Sequence, residues 1–385
     1  MLIDPSRRRF TQWACASGLL PWLASCGGGS DESYPFAAAG ASFNPDYGRA
    51  VVALMSTYQL PGVLAGVRVA GRPEWTQAFG RANLSMLTPL SLASTFPVRS
   101  VTKSFTVTTA LQLVRDGLLG VNDTIDRYVA GVPNGNLITL ADLAGNQSGL
   151  VDYSAQKAFL DVFIADTLHV FTPKELVAFS LAVPPTFAPG AQYQYSNTNT
   201  VLLGLVIEAV TGQPLGEVMT ARIFRPLALN GTSYPTSAAL PPPAPTPYAV
   251  NVNTGESEVL PLISPTALAG SGAITATLPN LLAWGDELGR GSLIGDTLQA
   301  LRKARSRPAT NGPEYDRYGL GIGRIGNWWG HTGSGLGFQI ATMNLAARGA
   351  TISVMVNATP EGGDRRDLNF AQEVFEALAV VVEAG

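Results

Sequence analysis

Strand-like runs gather at the two ends of this chain, and the long stretch between them has almost none. Near the N-terminal end, Val63–Ala70 and Trp75–Arg81 read as two strands joined across Gly71-Arg72-Pro73, a turn-forming cluster, which predicts a β-hairpin. Toward the C-terminus Tyr318–Ile325, Trp328–His331, Phe338–Leu345 and Thr351–Asn357 read as strands, and a helix from about Arg366 to Val382 follows them. The middle is helical. Val101, Phe105, Leu111, Val114 and Leu118 recur at helical spacing, and the predicted helix Val101–Leu119, closed by Gly120, is apolar on much of its circumference and therefore buried. Leu140–Asn146, Pro173–Leu181, Thr198–Val210 and Leu215–Ile223 read as further helices, Pro235–Pro247 as a loop, and Leu278–Leu288 as another helix. This order predicts an α/β chain with one sheet assembled from both termini, flanked by helices, and a mostly helical lobe at roughly 121–260. A ligand site is expected in the cleft between the two.

Composition removes several classes of function. Charged residues make up 14% of the 385 and the net charge is −3, so nothing points to nucleic acid as a partner. Lys103, Lys157, Lys174 and Lys303 are the only lysines among 25 basic residues, which gives a lysine inside a motif extra weight. Both cysteines, Cys15 and Cys26, lie near the N-terminus, so the body holds no disulfide, thiolate metal site or cysteine nucleophile. A zinc hydrolase needs more than His169 and His331, which sit in unrelated segments, and His169 reads as a packed helix residue. Gly321-Ile322-Gly323-Arg324-Ile325-Gly326 has the letters of a dinucleotide-binding turn, but strands follow it where that turn needs a helix. There is also no G-x-S-x-G elbow. No cofactor or metal is called for.

Residues 1–25 read as an export signal: Ser6-Arg7-Arg8-Arg9-Phe10 resembles the twin-arginine pattern, an ordinary secretory signal being the alternative, and Trp13–Ala24 is a short apolar run. Leu23-Ala24-Ser25-Cys26 resembles a bacterial lipobox, which makes Cys26 the expected lipid anchor, residues 26–45 a tether and the product a membrane-held periplasmic or cell-surface protein. The body then runs over 46–385.

Its sharpest chemical feature is Ser100-Val101-Thr102-Lys103 at the start of the buried helix. Residues three apart share a helix face, so the lysine amine reaches the serine hydroxyl. Burial lowers the lysine's affinity for its proton and lets it deprotonate the serine, while the helix N-terminus offers the Ser100 N–H to a developing oxyanion. A second match, Ser154-Ala155-Gln156-Lys157, has no hairpin before it and no long buried helix after it, and reads as coincidence. Tyr195-Ser196-Asn197 precedes the Thr198–Val210 helix; a tyrosine beside Lys103 ionises more readily and can shuttle protons. His331-Thr332-Gly333-Ser334 lies on a predicted strand ending in a glycine-rich bend.

In this order, Ser100-x-x-Lys103, Tyr195-x-Asn197 and His331-Thr332-Gly333 resemble the three signature motifs of the serine β-lactamase-related family, which includes DD-carboxypeptidases, class C β-lactamases and related esterases. The resemblance runs from about Tyr47 to the C-terminus and implies the β-lactamase/transpeptidase-like fold and a covalent acyl-enzyme. It makes Ser100 the nucleophile, Lys103 and Tyr195 the proton-transfer groups, either of them the base in acylation, and Asn197 a ligand for the substrate's amide carbonyl. The Ser100 and Ser334 N–H groups become the oxyanion hole, and His331 and Thr332 line the site opposite Tyr195. A motif beginning with His331 favours a D-alanyl-D-alanine carboxypeptidase, with peptidoglycan stem peptides as substrates and β-lactams as acylating ligands. An esterase or amidase on small acyl substrates, a weak β-lactamase and a non-catalytic penicillin-binding receptor stay open. Two departures weaken the peptidase reading: Asn146-Gln147-Ser148 stands where relatives often carry histidine and threonine, and Ala267–Gly272 lacks an aromatic residue. Arg324 is either a carboxylate ligand or a solvent-facing arginine.

Overall fold

The computed structural model describes residues 45–310, 312–313, 315–362 and 368–385. The expected export signal, Cys26 and the tether up to Asn44 lie outside the described residues. Among those described, nine strands form the main sheet, in the order Thr88–Pro89, Trp75–Asn83, Gly62–Val69, Ala350–Val356, Phe338–Leu345, Trp328–Gly335, Gly323–Ile325, Arg317–Tyr318, Arg307–Pro308. Every pairing is antiparallel, and the N-terminal hairpin docks on the last long strand with Val63 opposite Val356 and Val69 opposite Ala350. The sheet is thus assembled from both ends of the chain.

Side chains alternate across it, as a two-residue period demands. Leu64 joins one core with Phe105, Trp284, Ile340 and Met355, while its neighbours Val63 and Ala65 join another with Ile352, Val354, Phe370 and Phe375. The second core is covered by the helices Pro45–Tyr58 and Phe370–Ala384, the first by Leu278–Arg290 and the helical lobe. Leu278–Arg290 lies close on the strands because Gly285 has no side chain there. A Cβ at that position would fall 2.5 Å from Thr342 Oγ1 and 2.7 Å from Thr351 Cγ2.

The buried helix at the centre of the molecule runs Thr102–Arg115, entered through a single 3-10 turn, Arg99–Val101. It stops short of the expected Leu119 because Gly117, at φ 74°, takes the left-handed conformation. The Gly117 N–H then bonds Val114 O at 3.0 Å and the Leu118 N–H bonds Leu113 O at 2.9 Å, a Schellman closure that uses Gly117 rather than Gly120. Phe105 stacks on Trp284 with ring centroids 3.8 Å apart, and Trp284 Nε1 donates to Ser104 Oγ at 2.9 Å, which clamps this helix to Leu278–Arg290.

Other elements depart from expectation. Tyr318–Ile325 is broken into Arg317–Tyr318 and Gly323–Ile325 by a turn in which Gly321 has φ 69° and the Gly319 N–H bonds Ile322 O. The helices Pro45–Tyr58, Lys157–Ala165 and Asp296–Ala304 were not expected, and Tyr248–Asn251 and Ser257–Val259, inside the stretch read as helical, pair as strands beside Ala358–Glu361. His169 sits in a loop after the Lys157–Ala165 helix, not in a helix, with its ring 4.5 Å from that of Phe171.

Trp284 is fully enclosed, so Trp284→Ala leaves a cavity that the flat stack on Phe105 cannot refill. It should lower unfolding stability by about 3–5 kcal/mol, read as a shift in the urea midpoint; an unchanged midpoint would remove this clamp from the account.

Candidate active site

The 3-10 turn sets Ser100 half-exposed above Lys103, which is fully buried one turn further on. Lys103 Nζ donates to Ser100 Oγ at 3.1 Å, to Asn197 Oδ1 at 2.6 Å and to Ser271 O at 2.9 Å. Those acceptors use all three hydrogens of an ammonium. Burial nevertheless pushes the lysine down to about 7, against a smaller upward pull from the charge on Asp152. The group therefore exchanges its proton near neutrality, as a base for Ser100 requires.

Tyr195 OH donates to the same Ser100 Oγ at 2.6 Å, and its ring lies 4.7 Å from Lys103 Nζ. Sequence reasoning expected the lysine to promote ionisation of this phenol. Burial does the opposite and holds Tyr195 well above the ordinary tyrosine range, outweighing the opposing bond to Ser100. The structure accordingly pairs a proton-bearing phenol with an amine of depressed basicity across one hydroxyl.

Asn197 opens the helix Asn197–Thr211. Its Oδ1 faces Lys103, while Nδ2 donates to Asp152 Oδ2 at 3.0 Å and to Ser154 Oγ at 3.1 Å. Both amide hydrogens are thus taken inside the protein, and Asn197 Oδ1 holds the lysine amine in place. Ser154 does not form a second nucleophile pair: Lys157 Nζ turns to Asp161 at 2.6 Å on an exposed face. The serine earns its place as a brace for Asn197. Asn146 and Ser148 brace the same turn, since the Gln194 N–H bonds Asn146 O, the Ser196 N–H bonds Asn146 Oδ1, and Asn199 accepts from Ser148 Oγ through Oδ1 while its Nδ2 donates to Asn146 Oδ1.

Gly333 brings the strand Trp328–Gly335 against the nucleophile turn. A Cβ there would lie 2.4 Å from Val98 O and 3.1 Å from Ser100 N, so only glycine permits the approach. Ser334, the next residue, is exposed, and its Oγ accepts from Gln339 Nε2 at 3.0 Å. Thr332 is buried, with Tyr315 OH 2.8 Å from its Oγ1 and accepting from its N–H at 2.7 Å.

His331 is fully buried and makes no bond to Ser100, Lys103 or Tyr195 among the described contacts. Nδ1 lies 2.6 Å from Thr332 O, a pure acceptor, so the ring proton sits on Nδ1 and Nε2 accepts from Tyr318 OH at 3.0 Å. Burial and then the charge of Lys103 push its pKa down to about 3. A neutral imidazole held at both nitrogens ties the strand to Tyr318. Arg324 is not brought to the nucleophile either. Its guanidinium lies 6.0 Å from the Trp329 ring, which Lys303 approaches at 6.0 Å as well.

A family model described as beta-lactamase matches residues 48–376, nearly the whole described body and all three motifs. The chain belongs to this family. It is a serine β-lactamase-family hydrolase, and the antiparallel sheet with its helices is the fold of that family. A D-aminopeptidase of Brucella anthropi is 31% identical over 228 residues, which cover 59% of this chain and 42% of that one. A D-aminopeptidase of Cereibacter sphaeroides is 27% identical over 316 residues, 80% of this chain and 59% of the other, so the family hydrolase described here spans about half the length of these relatives. Among solved structures, a D-stereospecific amidohydrolase from Streptomyces superposes with a TM-score of 0.74 at 28% identity, over 87% of this chain and 98% of that one.

A base with its pKa held near 7 by burial works only once it has lost its proton, so kcat/KM should rise with pH through an acidic limb near 7. Asp152 raises the lysine, so Asp152→Asn should move that limb to lower pH while lowering its plateau, because Asn197 loses a brace. A limb that stays put in the variant would separate it from Lys103.

Proposed function

We propose that this family hydrolase cleaves amide bonds of D-configured substrates, a D-amino acid amide or a short peptide with a D-residue at its N-terminus, through an acyl-enzyme on Ser100. The observation that carries the reading is the double engagement of Ser100 Oγ by Lys103 at 3.1 Å and Tyr195 at 2.6 Å. Neutral Lys103 takes the serine proton as Oγ attacks the carbonyl carbon. The oxyanion forms against the N–H groups of Ser100 and Ser334. Tyr195 gives its proton to the leaving nitrogen as the C–N bond breaks and recovers one from the lysine ammonium, so the proton lost by Ser100 leaves on the amine. Water then attacks the ester by the reverse relay and releases the carboxylic acid and the free serine.

Two observations favour D-configured amides. D-aminopeptidases and a D-stereospecific amidohydrolase are among the proteins this chain is similar to. The sequence offered Arg324 as a carboxylate ligand or a solvent-facing arginine, and its guanidinium, 6.0 Å from the Trp329 ring, makes no contact with Ser100, Lys103 or Tyr195 among the described residues, which gives the carboxypeptidase reading no support from this residue. Export and anchoring through Cys26 belong to the proposal on the strength of the sequence alone.

Ser100→Ala should reduce hydrolysis of D-alanine p-nitroanilide by at least about 10³-fold, whereas Ser154→Ala, which removes one brace of Asn197 and no reacting group, should cost no more than about tenfold. Intact-mass analysis after a penicillin pulse should show one adduct, and peptide mapping should place it on Ser100. Faster cleavage of N-acylated D-Ala-D-Ala than of the free-amine D-substrate would restore the carboxypeptidase reading, and normal turnover by Ser100→Ala would sink the mechanism. Cys26→Ser should move the protein from the membrane fraction to the soluble fraction; retention on the membrane would remove the anchor.

A further inference from the structure

Arg99, the residue before Ser100, is held at φ 51°, a conformation costly for a long side chain. Its guanidinium reaches the turn beyond Ser334, where Nε donates to Gly335 O at 3.0 Å and Nη2 to Leu336 O at 3.2 Å, with the Phe338 ring 5.4 Å away. The residue is only 6% exposed, yet among the described residues no carboxylate pairs with it and no acceptor meets Nη1. It lines an open cavity whose other walls are mainly apolar, among them Pro97, Pro235, Pro247, Leu262 and Leu336.

We propose that this cavity binds a carboxylate carrying an apolar body, at a site separate from the nucleophile, with Nη1 of Arg99 as the anion donor and the proline and leucine walls as the apolar surface. A buried charge without a counter-charge is the expensive half of an ion pair, and an incoming anion completes the pair where the guanidinium is already desolvated. Burial also lowers the arginine, to about 10, which leaves it charged at neutral pH. The apolar walls add affinity in proportion to the area they cover. The two carbonyls that Arg99 holds follow Ser334, and Arg99 itself precedes Ser100. An occupant is therefore coupled to both backbone N–H groups assigned to the oxyanion, and its binding alters turnover. The acid released by amide hydrolysis is of this ligand class, although the binding site goes beyond the proposed reaction and does not depend on it.

The test uses the full chain carrying Ser100→Ala, which binds without turnover whatever the true substrate is, titrated calorimetrically with hexanoate and with neutral hexanamide. Hexanoate should bind at least about tenfold more tightly than hexanamide, the ratio expected of one hydrogen bond to a charged group. Arg99→Met should abolish that preference. Ser237→Trp, at the exposed rim of the cavity, should block hexanoate without disturbing the Arg99 turn and keeps the test decisive if Arg99→Met fails to fold. In the active chain, acylation of Ser100 by a penicillin should shift hexanoate affinity by a few-fold at most and not abolish it. Equal binding of the two ligands, hexanoate binding that survives Ser237→Trp, or its loss on acylation of Ser100 would each overturn the proposal.

Discussion

The buried amine of Lys103 is the group around which the active site is arranged. An isolated charge taken out of water costs several kcal/mol, and it persists only where hydrogen-bond acceptors replace the lost solvent. Here the acceptors come from three separate stretches: Ser100 on its own helix, Asn197 at the start of a helix in the lobe, and the Ser271 carbonyl in the segment before Thr275–Ala276. Because the compensation is close but incomplete, the proton is held loosely, and the same balance that tolerates the lysine makes it a base near neutral pH.

Burial also settles the roles of the other titratable groups in the cleft. From the sequence, proximity to a lysine argued for an easily ionised Tyr195, a Coulombic expectation that presumes a charged neighbour in a medium that screens weakly. With Lys103 itself losing charge to desolvation, the attraction fades, and the phenol is left with its own desolvation cost. His331 follows the same logic. It lies close enough to feel Lys103, and an imidazolium there would pay both for burial and for the like charge, so the ring stays neutral and is fixed by Thr332 and Tyr318.

Features that depend on neighbours in the chain were legible beforehand. The N-terminal hairpin could be read because its turn residues are adjacent, and Pro173–Leu181 because its start is marked locally, with Thr172 and Glu175 forming a capping box. The three motifs were legible for the same reason. Lys157–Ala165 was missed because Leu160 and Ile164 face outward and only Phe159 is buried, which blurs the apolar stripe a surface helix normally shows. Asp152 and Ser154 were missed as parts of the site because their partner Asn197 is more than forty residues away, and Ser271 because it contributes a carbonyl that any residue type would supply. Backbone acceptors leave no signature in a sequence.

The glycine of the third motif shows how a motif letter can record a distance. Gly333 lies where a Cβ would meet Val98 O at 2.4 Å, so alanine at this position would push the strand off the nucleophile turn. The same turn also holds the strand further along, since Arg99 binds the carbonyls of Gly335 and Leu336 two and three residues further on. Ser334 lies between these two fastenings, one steric and one made of hydrogen bonds. An N–H that must meet charge as it develops gains most when its position is fixed in advance, because no reorganisation is then left to oppose the reaction. Strain at Arg99 and close contact at Gly333 are therefore two parts of one constraint, which holds the end of the sheet against the start of the helix.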